Sequence, residues 1–442
     1  MDGIVNNVLS VFGNFFTVIY TSFLSYIPQG TGMILISALV LSFILGIYLY
    51  FKYQPTPQET ISTQLVTFRG MYDGLASKRK GVEEYLKEPL VKISMNNWVL
   101  LNFAPLTVSN AGYLGPDVDG MYDTSAIRQA LDLGFRCFVF HIDYYQGEPK
   151  DPERFVAPGD PCLLHRDDQG VIRSTNCGRI SQMTQALADQ AFSTSLNTGK
   201  DPLIVFLMFK NTPDKVKEPG TYTRFLSKVA EEIQPLRPRF LSRINNVRFS
   251  NLENQNQLFT QKFEDLFGKI VIFTNVDTST FTTGGLPIEK NLRSMINAEV
   301  FTIGGGQLEK DTVSQPAPQG TQMAVGTSEG NYFFQTPPDR ISEATRKTNN
   351  VFTYVQKPGA NDNFTTAQIE TLGKTYGVQS VGWNLYKTPT ETQTLFTSWG
   401  PYSWKLKPGP LQYIVIIPEP PKPISKKADA NQGNPSPPAL HL

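Results

Sequence analysis

Two imidazoles, a carboxylate and two fixed cations stand at the ends of apolar runs in this 442-residue chain: His141 and Asp143, His165 and Arg166, and Lys210. Histidine changes charge near neutral pH and can take up or release a proton, while lysine and arginine stabilise anions, so the set suits acid–base chemistry on a negatively charged group. The runs before them, Phe135-Arg-Cys-Phe-Val-Phe-His141, Pro161-Cys-Leu-Leu-His165 and Leu203-Ile-Val-Phe-Leu-Met-Phe-Lys210, are rich in Val, Leu, Ile and Phe. Strands buried on both faces of a parallel sheet read this way. Alternation along a strand puts His141 and Asp143 on one face. In a barrel of parallel strands the C-terminal ends open on a single face, where chemistry sits. A histidine at one strand end is, taken alone, more often structural than catalytic.

Positioning these groups needs a regular set of elements. Residues 97–108 read as a first strand, closed by the turn Ser109-Asn110-Ala111-Gly112. Asp123 or Thr124 can cap a helix running to Leu133, with Gly134 ending it. Helical spacing recurs over 178–195 and 222–234, a strand follows at 268–273, and a helix at 365–376 leads to a strand at 379–384. Residues 277–350 break the rhythm. Their glycine run, Gly304-Gly305-Gly306, lacks the Lys-Ser/Thr of a phosphate-binding P-loop and reads as a flexible loop.

Composition narrows the remaining choices. Forty Lys and Arg against 39 Asp and Glu leave a net charge of +1, so no global field draws nucleic acid. Three cysteines without ligand spacing, Cys137, Cys162 and Cys177, fit a reducing compartment better than a disulfide framework or zinc site. Gly32–Tyr50 is 19 residues without a charge, enough to cross a hydrocarbon core, and reads as a single transmembrane helix. Residues 4–26 are also apolar but carry Asn6, Asn7 and Asn14, and either lie in the interface or form a second, weaker span. Positive charge falls on the C-terminal flank, at Lys52, Arg69 and Lys78-Arg79-Lys80, which puts the large domain on the cytosolic side. The expected organisation is a membrane-anchoring segment over 1–53, a tether with a short helix over 54–96, an irregular TIM-type (β/α)8 barrel over 97–417, and a disordered proline-rich tail over 418–442.

The order of these segments resembles the catalytic X region of the phosphatidylinositol-specific phospholipase C superfamily, a TIM-type barrel. Ser109-Asn110-Ala111-Gly112-Tyr113 is similar to its "SHNTY" segment, Gly134 to Asp143 to "GCRCIELD", Cys162 to His165 to a strand ending in His, and Leu203 to Asn211 to "VILSLEN". Gly268-Lys-Ile-Val-Ile272 resembles "GKILI", and Gln379 to Asn384 followed by Trp404 to Pro408 resembles the closing strands "QIVAMN" and "YVLKP". The resemblance implies two catalytic histidines and, in metal-dependent members, a calcium held by Asn, Glu, Asp and Glu. Here Asn110 stands at the first histidine, Ala111 at the calcium-ligating Asn, and Lys210 at the last Glu. Only Asp143 remains of the carboxylate pair, and one carboxylate cannot hold calcium, so no metal or other cofactor is expected.

The second histidine is retained as His165, followed by Arg166; His141 is the candidate substitute for the missing base. Arg166, Lys210, Asp143 and Asn110 are the candidate substrate-binding groups, with Trp383 near the mouth as a platform for an inositol or lipid headgroup. The expectation is a membrane-anchored barrel that has lost calcium-dependent phosphodiesterase activity and serves as a binding or structural module, with membrane, a phospholipid headgroup or another protein as partner. The alternative is an active, metal-independent phosphoric diester hydrolase of phospholipase C type.

Overall fold

The computed structural model describes residues 29–52, 57–72, 74–75, 78–92, 95, 98–115, 120–147, 156–167, 169–249, 255–281, 285–303, 325–329, 331–357, 363–385 and 389–414. The apolar segment 4–26, the run Gly304–Gly306 and the tail from 418 lie outside them. The chain divides into two units, residues 1–63 and 64–442.

The first unit contains helix α1, Gln29–Lys52. Its side chains are described from Ala38 on, and there Leu41, Ile44, Leu45 and Tyr48 are exposed. Among the described residues no helix is long and apolar enough to cross a membrane. Helix α2, Pro57–Met71, occupies much of the expected tether. Within the second unit its residue Phe68 is buried in the core, and Tyr72 just beyond it donates a hydrogen bond to the Leu385 carbonyl at 2.5 Å. That stretch is part of the folded body, because two aromatic side chains leave water there.

Eight parallel strands build the second unit: β1 (Thr107–Val108), β2 (Cys137–Tyr144), β3 (Leu203–Phe209), β4 (Ile270–Thr274), β5 (Ala298–Thr302), β6 (Val325–Glu329), β7 (Phe352–Gln356) and β8 (Ser380–Trp383). Each pairs with the next in that order, and β1 pairs with both β2 and β8, in the manner of a TIM-like barrel. Helices α3 (Thr124–Asp132), α4 (Ile180–Gln190), α5 (Pro219–Glu232), α6 (Ile341–Asn350), α7 (Thr366–Lys374) and α8 (Pro389–Trp399) lie in the connections. Local chemistry fixes their ends. The Asp123 carboxylate accepts from the Ser125 amide at the start of α3, Gly134 follows with φ 83°, and Thr365 and Gln368 form a capping box on α7.

Alternation sorts the strand side chains into two layers. Phe138, Phe140, Val205 and Leu207 face the helical layer, packing with Ile127, Ile180, Phe225 and Val229. Val139, Phe206, Phe273 and Tyr354 fill the interior, where the Phe206 ring lies 5.2 Å from Phe273 and 5.1 Å from Tyr354.

Three expected strands take other roles. The expected first strand is interrupted by a 3-10 turn at Leu100–Asn102, and only Thr107–Val108 enters the barrel. Phe103–Pro105 instead pairs antiparallel with Trp404–Leu406, the expected last strand, and together they floor the barrel: Phe103 stacks on Phe263 at 3.9 Å, with Trp404 at 5.0 Å from the same ring. Pro161–Leu163 is antiparallel to β2, because the chain leaves the top of β2 and re-enters beside it, opposing Tyr144 with Pro161. Conversely, β5 and β6 both lie within residues 277–350, where no strand rhythm is visible in the sequence.

Candidate functional site

Strand β2 carries the site. Its interior face runs Cys137, Val139, His141, Asp143, so the last two side chains arrive at the C-terminal end of the barrel above an apolar floor. His141 is 4% exposed and its Nε2 has no hydrogen-bond partner among the described residues. Burial, followed by the positive charge of Lys210 and by His165, holds its pKa well below the ordinary imidazole value, and a side-chain hydrogen bond with Gln356 opposes this only in part. His141 is therefore neutral near pH 7. Gln356 in turn accepts from the Tyr354 hydroxyl at 3.3 Å, which ties the imidazole to the interior of β7.

Asp143 is answered completely by the protein. Arg166 grips it with two hydrogen bonds, Nε to Oδ2 at 2.6 Å and Nη2 to Oδ1 at 3.0 Å, and Asn211 Nδ2 adds a third at 2.9 Å. The carboxylate side chain is 1% exposed and the guanidinium side chain 23%. Such a forked, charge-assisted pair is strong and directional. Burial of both partners makes its loss costly. Desolvation acts against the Arg166 charge, but its hydrogen bond to Asp143 dominates and raises its pKa further.

The strand-loop pairing beside β2 places His165. Antiparallel pairing of Leu163 with Gly178 returns the chain past the mouth, with the Cys162 and Cys177 sulfurs 3.4 Å apart as free thiols. His165 is 1% exposed, its ring 4.5 Å from that of Tyr113. Its Nδ1 meets Asn110 Nδ2 at 3.1 Å, while the Tyr122 hydroxyl donates to Asn110 Oδ1 at 2.5 Å. The Tyr122 hydroxyl and the His165 ring nitrogen can each donate or accept, so the direction of the Asn110–His165 contact follows the imidazole tautomer. Asn110 holds its place through a left-handed backbone, φ 50°, that asparagine tolerates well.

The sequence candidates thus divide. His141, Asp143, His165, Arg166, Asn110 and Lys210 are brought to one end of the barrel. Lys210 is exposed there, its amide donating to the Ile142 carbonyl at 2.8 Å. Trp383 is not at the mouth. It is 1% exposed in the layer between strands and helices, and its indole N–H donates to Thr392 at 2.8 Å, so it cannot stack on a headgroup. Tyr122, Gln356 and Asn211 join the site without any spacing in the sequence that marks them; Gln356 and Asn211 lie far along the chain from the groups they hold, and Tyr122 twelve residues from Asn110.

The donor set does not fit calcium. Asp143 is spent on Arg166, Ala111 offers no side-chain oxygen, and an ammonium occupies position 210. Among the described residues no group of three or more His, Cys, Asp or Glu side chains could hold a metal ion.

No family model and no curated protein matches the sequence. Solved structures do resemble it in fold. PLC21 of S. officinalis aligns at 14% identity with a TM-score of 0.47, covering 75% of this chain and 41% of that one. A calcium-dependent phosphoinositol-specific phospholipase C from a Pseudomonas species aligns at 11% identity with a TM-score of 0.43, covering 71% and 97%. A putative glycerophosphoryl diester phosphodiesterase from Silicibacter pomeroyi aligns at 13% identity with a TM-score of 0.37, covering 70% and 99%. The chain spans about two fifths of the length of PLC21.

Proposed function

We propose that this chain is a membrane-anchored, phospholipase C-like barrel that has lost calcium-dependent phosphodiester cleavage and acts as a binding or structural module at a membrane or membrane-containing particle. The observation that carries this reading is that His165 Nδ1 meets at this contact a carboxamide, Asn110, and not a second titratable side chain. Cleavage through a neighbouring hydroxyl needs a base, an acid for the leaving oxygen, and positive charge near the phosphorus. A carboxamide cannot be the base. Burial, Lys210 and His165 hold the His141 pKa well below the ordinary imidazole value, which leaves it a weak base. Arg166 is committed to Asp143. The exposed apolar side chains of α1 and the uncharged run from Gly32 support the anchor, with the large unit on the cytosolic side.

A metal-independent phosphoric diester hydrolase is the second reading, favoured by the convergence of two imidazoles with Arg166 and Lys210 at one barrel end. Turnover separates the two. Full-length protein in mixed micelles should cleave phosphatidylinositol no faster than a His165→Ala control, since general acid and base groups are each worth ~100- to 10,000-fold. Turnover abolished by His165→Ala would overturn the first reading, and its further loss in His141→Ala would identify the base. Restoring Asn110→His alone should not recover activity. The intact chain should also resist alkaline carbonate extraction; recovery in the soluble fraction would remove the anchor.

A further inference from the structure

At the opposite end of the barrel, between β1 and β8 on one side and α7 and α8 on the other, lies a cavity of about 210 Å³. Phe135, Ile369, Val381, Trp383, Leu395 and Trp399 give it mainly apolar walls. An apolar cavity of ~150 Å³ is already large enough to take a benzene ring.

Its polar lining is unbalanced. Lys374, Lys405 and Lys407 border it against one acid, Glu370, which is 3.2 Å from Lys374. Among the described residues Lys405 and Lys407 make no ion pair, although the charges of Glu88 and Glu370 act on Lys405. Lys405 lies 5.6 Å from the Trp399 ring centroid. Lys407 is 4% exposed, and among the described residues its ammonium nitrogen donates to the Thr348 carbonyl alone, at 3.3 Å. Burying a cation without a counter-charge is costly, and an anion entering the cavity would remove that cost.

Gly373 supplies an independent observation. It lies in the last turn of α7, lines the cavity, and does not have positive φ; a Cβ placed there would meet nothing within 4 Å. Glycine weakens a helix relative to alanine, and neither a turn nor a close backbone approach demands it here. What it leaves is open space on the cavity wall.

We propose that this cavity binds a small monoanionic amphiphile, an aromatic or short aliphatic carboxylate whose apolar body lies among Phe135, Ile369 and Leu395 and whose charge is met by Lys405 and Lys407. The site is independent of whether the other end of the barrel turns over a substrate. Burial lowers the Lys407 pKa to about 7, so a carboxylate arriving at pH 8.5 should recharge the amine and take up close to one proton.

The test uses the full chain in lipid nanodiscs with 4-ethylbenzoate, its neutral isostere 4-ethylbenzyl alcohol and its cationic isostere 4-ethylbenzylamine, followed by tryptophan fluorescence and calorimetry. The carboxylate should bind at least ~10-fold more tightly than the alcohol, and the amine more weakly than either. Lys405→Met with Lys407→Met should erase the preference for the anion while leaving binding of the alcohol. Gly373→Leu should weaken carboxylate and alcohol alike by ~10-fold or more. Heats at pH 8.5 should vary with buffer ionisation enthalpy in the parent and not in Lys407→Met. No saturable binding of any of the three up to ~10 mM would overturn the proposal. So would equal affinity for carboxylate and amine, or a carboxylate preference that survives the double lysine variant. The lysine variants and the buffer dependence decide the question even if Gly373→Leu fails to fold.

Discussion

The two ends of the barrel treat charge in opposite ways. At the C-terminal end, where a fold of this kind does its chemistry, Asp143 is matched by Arg166 and Asn211, and Asn110 is shared between Tyr122 and His165. At the other end Lys405 feels Glu88 and Glu370 only at a distance, and the buried Lys407 has no acid beside it among the described residues. The comparison teaches that polar residues at an expected site are not evidence of readiness to react. Groups that satisfy one another are architecture, while an uncompensated buried charge stores free energy that a ligand can release.

Three measurements would break or sharpen this contrast. The largest effect is expected at the satisfied end. Arg166→Ala strands a buried carboxylate and should cost about 3–5 kcal/mol in urea unfolding at pH 7. Asp143→Ala in the same background should recover most of that, and a loss below about 1 kcal/mol in the single variant would mean the pair is not structural. Next comes Lys407, whose folded pKa of about 7 lies below the 10.5 of a free lysine. A depressed basic group costs nothing above its unfolded pKa. The cost grows as pH falls from 10.5 toward 7 and is complete below that. Each tenfold loss of proton affinity is worth about 1.4 kcal/mol, so Lys407→Met should stabilise the protein by a few kcal/mol at pH 6, with the gain vanishing near pH ~11. A gain that is flat with pH would point to packing instead of charge. The smallest effect is that of calcium: ~1 mM should move the melting temperature by less than about 1 °C, and a larger rise would show oxygen ligands that the barrel mouth does not supply.

Much of the barrel is legible because β2, β3 and β4 are continuous apolar runs covered on both faces, and those same runs deliver His141, Asp143 and Lys210. Direction and partnership are not legible. Pro161-Cys-Leu163 is as apolar as a barrel strand but runs the other way, and nothing in Trp404-Lys-Leu406 distinguishes a floor ribbon from a closing strand. Strands β5 and β6, Ala-Glu-Val-Phe-Thr and Val-Gly-Thr-Ser-Glu, carry too few large apolar residues to stand out from loop sequence. The chemistry of the site is hidden for a related reason. A carboxylate and an arginine 23 residues apart look like two substrate contacts until the fold pairs them.

The first barrel strand contributes just Thr107 and Val108, two residue pairs on either side. Its grip is extended by the next residues, Ser109 donating to the Trp383 carbonyl at 2.8 Å and Ala111 to that of Val139 at 2.9 Å. Asn110, the residue that holds His165, sits between these two hooks. The clasp of the ring and the latch on the imidazole are thus one short piece of chain. Neither can be reshaped alone, and any substitution of Asn110 bears on the fastening of the barrel in the same step.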